Sequence, residues 1–101
     1  MPAHARNVSP LAAALQSSEP LARLAERLRE SRERFSCIEA VLPGPLAQQL
    51  RAGPIDADGW TVLATNSAVA AKLRQLVPDL QVALIEAGHT ALPIRVKVLP
   101  T

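Results

Sequence analysis

The sequence predicts an α+β domain, a three-stranded sheet with helices packed on one face, its elements in the order α-α-β-β-α-α-β. Three observations predict it. Apolar residues at helical spacing run from Leu21 to Leu42, Asp58-Gly59 sits between two apolar runs, and Ile94-Arg95-Val96-Lys97-Val98 alternates strictly. A chain of 101 residues supports one core. Residues 19–101 are therefore read as a single domain. Residues 1–18, interrupted by Pro2 and Pro10 and rich in Ser and Asn, are read as a flexible N-terminal arm.

The first helix starts at Ser18-Glu19-Pro20, where Ser18 can cap and Pro20 has no N–H to waste in the first turn. Leu21, Leu24, Leu28, Phe35, Ile38 and Leu42 form its apolar stripe, interrupted by Ser31. Acid and base alternate on the other faces, with Glu26/Arg29 and Glu30/Arg34 spaced to pair. Pro43-Gly44-Pro45 stops this helix after about five or six turns. Leu46–Arg51 reads as a short second helix ended by Gly53-Pro54, and Ile55 as a short first strand. Asp58-Gly59 turns the chain into Trp60–Thr65, a strand rich in β-branched residues. Asn66-Ser67 caps a helix over residues 68–77. Pro78-Asp79 breaks it and starts another that ends at the C-cap Gly88. This helical pair is long enough for a crossover, so the last strand can lie parallel to a hairpin strand, with Ile94, Val96 and Val98 inward and Arg95 and Lys97 outward.

Composition narrows the function. Apolar residues make up 49% of the chain and charged ones 20%, the balance of a globular domain. The formal net charge is only +2, so any polyanion-binding surface must come from local placement. Cys37 is the single cysteine, a small hydrophobe in an apolar stretch, which leaves no disulfide framework or cysteine-rich zinc site. His4 in the arm and His89 in a turn do not resemble metal ligands, and no metal or other cofactor is expected. No secretory signal or membrane-length apolar run is visible, which predicts a cytoplasmic protein with no membrane partner.

No phosphate loop, dinucleotide fingerprint or nucleophile elbow occurs, and no catalytic residue is assigned. Asp56 and Asp58 are the one close carboxylate pair, and turn formation explains them better than acid–base work. Trp60 reads as a cover for one end of the core in preference to a base-stacking platform. The remaining candidates are cations: Arg51 at the hairpin entrance, Lys72 and Arg74 on the helix after it, and Arg95 and Lys97 on the last strand. Converging, they would meet phosphates; scattered, they are ordinary solvated exterior.

The element order resembles a KH-like domain of the second type. Residues 59–84 carry a closer likeness. Gly59-Trp-Thr-Val-Leu-Ala-Thr-Asn-Ser67, the alanine-rich helix from Ala68, the Leu73-x-x-Leu76-x-Pro78-x-Leu80 break and the closing Ile94-Arg-Val strand are similar to the DciA family of bacterial proteins linked to the replicative helicase. The resemblance covers residues 20–99 loosely. It implies a non-catalytic DNA-binding accessory domain of replication that contacts the helicase. Val69 stands where family members commonly carry tryptophan. The turn Leu76-Val77-Pro78-Asp79 lacks the Gly-x-x-Gly of nucleic-acid-clamping KH domains, so binding through that loop is not expected. The alternative is a protein–protein interaction module without nucleic-acid binding, which an exposed apolar patch would mark.

Overall fold

A computed structural model of the chain describes residues 19–100; Ser18 and the arm lie outside the described residues. Three helices and a three-stranded mixed sheet make up an α+β fold. Helix α1 spans Glu19–Val41, α2 spans Gly44–Ala47, and α3 spans Ser67–Glu86. Strands β1, β2 and β3 span Leu50–Asp56, Gly59–Ala64 and Ile94–Val98. The strand order is β1-β2-β3, with β1 antiparallel and β3 parallel to β2.

Alternation decides which sheet face is buried. Leu50, Ile55, Trp60, Val62 and Ala64 point into the core, with Ile94 and Val96 packed against it. Ile38 of α1 and Val69, Ala70, Leu73, Leu80 and Leu84 of α3 close it from the helical side. With a single Phe and a single Trp in the chain, aliphatic side chains fill most of the core. Trp60 is fully buried, and its Nε1–H donates to Ser31 Oγ at 3.0 Å. Burial removes it from any base-stacking role.

Three expectations need correction. Residues 67–86 form one helix, without a break at Pro78-Asp79. Pro78 removes one backbone rung. However, Leu73, Leu80 and Leu84 share one buried face, so packing keeps the helix continuous past the proline. Second, β1 begins at Leu50 and runs through Gly53-Pro54, and the preceding helix is confined to Gly44–Ala47. The edge position tolerates Pro54, and a bulge between Ala52 and Ile55 absorbs one extra residue. Glycine is needed there, because a Cβ on Gly53 would lie 2.7 Å from the Thr61 carbonyl oxygen. Third, the apolar stripe of α1 is buried only in its second half; Leu24 and Leu28 are 52% and 56% exposed.

The caps follow the sequence. Asn66 Oδ1 accepts the Val69 N–H at 2.9 Å, as an N-cap does. Gly88 takes φ +97° after α3, and the His89 N–H returns to the Leu84 carbonyl. Along α1, Arg29 pairs with Glu26 and Glu33, Arg23 with Glu19, and Arg34 with Glu30.

Candidate nucleic-acid interface

The sheet face opposite the core carries the odd-numbered positions of β2 and β3, and the register places the cations on it. Arg51, Leu63 and Lys97 are Cα partners across the three strands, with the apolar side chain between two basic ones. Two strand spacings separate Arg51 from Lys97, about 10 Å. Arg51 and Lys97 are both exposed. Arg95 lies opposite Thr61, one step along the same face.

Their chemistry differs. Arg51 donates from Nη1 to the Gln48 and Leu50 carbonyls, at 3.0 and 2.7 Å. That holds the guanidinium at the start of β1 and leaves its charge without an acidic partner. Lys97 has no ion-pair partner among the described residues. Arg95 is already engaged. Its Nη2 donates to both carboxylate oxygens of Asp56, at 3.3 and 3.2 Å, and to the Gly59 carbonyl. Asp56 also accepts the backbone N–H groups of Asp58 and Gly59. The Asp58 N–H above all, then Arg95, holds the Asp56 carboxyl below the usual carboxylate range against the opposing effect of desolvation. A phosphate meeting Arg95 must therefore compete with a well-placed carboxylate. The hairpin reading of Asp56 is correct, and its side chain also ties the turn to β3.

Arg74 reaches the outer edge of β3, donating to the Val96 carbonyl at 3.3 Å. Lys72 is exposed, but it lies two residues earlier and so about 200° round the helix from Arg74. The fold thus brings Arg51, Arg95 and Lys97 onto one face with Arg74 along its edge, and sends Lys72 elsewhere.

Two buried polar side chains were not among the sequence's candidate site residues. Arg34 is 1% exposed and donates to the Thr90 carbonyl and hydroxyl while Glu30 lies 3.4 Å from its Nε. It borders a cavity of about 280 Å³ with Gln81, Leu84 and Leu92. Its partners satisfy most of its charge, which makes it a tie between α1 and the loop before β3. Ser31 is buried at a stripe position, donating to the Gly53 carbonyl and accepting from Trp60. A serine interrupting an apolar stripe was the available signal for this second tie; a lone Arg among charged neighbours gave none for Arg34.

Among the described residues no group of three His, Cys, Asp or Glu side chains gathers as a metal site. Nor is any described helix long and apolar enough to cross a membrane. Compared with protein-family models and with curated proteins, the chain matches none.

Proposed function

We propose that this domain is a non-catalytic, DNA-binding accessory protein of replication acting in the cytoplasm. On this reading its fold is a KH-like variant whose two crossover helices are fused into α3, similar to the DciA helicase operators, and the replicative helicase is its protein partner. The supporting observation is the outward face of the sheet, where Arg51 and Lys97 flank Leu63 and Arg74 borders the edge. Cations beside an apolar surface meet backbone phosphates and the flat faces of unstacked bases together. The missing Gly-x-x-Gly loop is consistent with this choice of surface, since its place is taken by the interior of α3.

The test is fluorescence anisotropy of labelled single- and double-stranded DNA at low and moderate salt. With three cations engaged, a tenfold rise in salt should lower single-strand affinity by roughly a hundredfold. Arg51→Glu/Lys97→Glu should abolish binding, and Arg95→Glu should weaken it less because Asp56 already occupies that guanidinium. Absence of binding at low salt, or indifference to the double variant, overturns the reading.

A further inference from the structure

The projecting half of α1 and the bulged edge of β1 enclose a groove of about 820 Å³. Leu24, Leu28, Ile55 and Leu63 line it, and Arg27 and Arg32 stand beside them. Gly53 and Pro54, with no long side chains, leave its β1 side open. We propose that this groove docks an acidic amphipathic helix of a partner protein.

The charges on α1 carry the argument. Arg23 and Arg29 are neutralised by glutamates of the same helix. Arg27 and Arg32, the two that border the groove, have no ion pair among the described residues. The one acid at the groove is Asp56, whose carboxylate is engaged by Arg95 and by the hairpin N–H groups. The surface therefore offers an apolar seam flanked by uncompensated positive charge. It suits a helix with leucine-like anchors at i, i+3, i+4 and i+7 between acidic residues.

Other occupants fit worse. A second copy packed along this seam would set Arg27 and Arg32 against the same cations in either helix orientation. Residues 1–18 of the chain contain no Asp or Glu to answer those arginines. Strand addition at β1 meets obstacles of its own: the Gly53 carbonyl already accepts from Ser31, Pro54 has no N–H, and the bulge breaks the register.

The probe is a labelled, designed amphipathic peptide with leucines at that spacing flanked by glutamates, titrated beside the same peptide with glutamine at each glutamate. The full-length chain should bind the acidic peptide roughly tenfold more tightly than the neutral one. Arg27→Glu/Arg32→Glu should reverse that preference, and Leu24→Ser/Leu28→Ser should remove binding of both peptides with an unchanged circular dichroism spectrum. Arg74→Glu, on the β3 side of the sheet away from the groove, should weaken DNA binding and leave peptide binding intact, which separates this proposal from the DNA-binding one. Equal affinity for the two peptides, or no binding, overturns it. So does a dimer in sedimentation that Leu28→Ser dissolves, which would assign the seam to a second copy. Peptide binding that tightens in Leu11→Ser/Leu15→Ser would assign the groove to the chain's own first residues and overturn it as well.

Discussion

The two halves of α1 carry the same kind of apolar spacing and meet opposite fates. From Ser31 to Ile38 the helix lies on the sheet: Ile38 is fully buried, Ser31 bridges Gly53 and Trp60, and Arg34 is drawn under the loop at Thr90. From Leu24 to Leu28 the helix stands off from the bulged edge of β1 across a groove, and both leucines stay more than half exposed. The helix is long, about 35 Å for its 23 residues, and only its second half is held close against the sheet and α3. The difference teaches that an amphipathic pattern states a capacity for burial, and the partner surface decides where that capacity is used. Where no described residue covers it, the stripe stays exposed.

Substitutions along α1 can break or sharpen this contrast. The largest effect belongs to the sheet-covered half. Ile38→Ala should cost about 2–5 kcal/mol in a denaturant titration, because it opens a cavity among closely packed aliphatics. A loss below 1 kcal/mol would mean that this half is no better packed than the projecting one. Next comes Ser31→Ala, which strands the Trp60 indole N–H and the Gly53 carbonyl in the interior. The expected cost is about 1–3 kcal/mol, read as a lowered denaturation midpoint with an unchanged slope. A neutral result would show that the serine merely fills space. Least affected should be Leu28→Ala, with a change within about 0.5 kcal/mol because the side chain leaves little water behind on folding. A loss of several kcal/mol would show that the exposed half is covered in solution.

The two faces of the sheet repeat the lesson on a smaller scale. Ile94, Val96, Arg95 and Lys97 were assignable to their faces from period two alone, since an adjacent shift in register would bury the cations. The hairpin at Asp58-Gly59 and the cap at Asn66 were equally legible, because turns and helix starts are chemistry between near neighbours. The β1 bulge and the continuous α3 were not. Gly53-Pro54 and Pro78 are local breakers, and tertiary packing overrode both: one sits on an unpaired edge, the other behind three buried leucines. Among the candidate cations, residue type and spacing did not show that Asp56 engages Arg95 or that Lys72 and Arg74 point apart.

The sequence by itself determined the α+β class, the long first helix, the hairpin, the strand alternation and the aliphatic character of the core. These rest on interactions among residues close along the chain, for which spacing and side-chain type are sufficient. The tertiary structure alone decided that Trp60 and Ser31 meet, that Arg34 is buried, and that Arg51 and Lys97 flank Leu63. It also decided that Leu24 and Leu28 are left facing a groove with two unpaired arginines. Such contacts join residues tens of positions apart. They depend on strand register and on where a helix stands off from its sheet, which only the folded chain specifies.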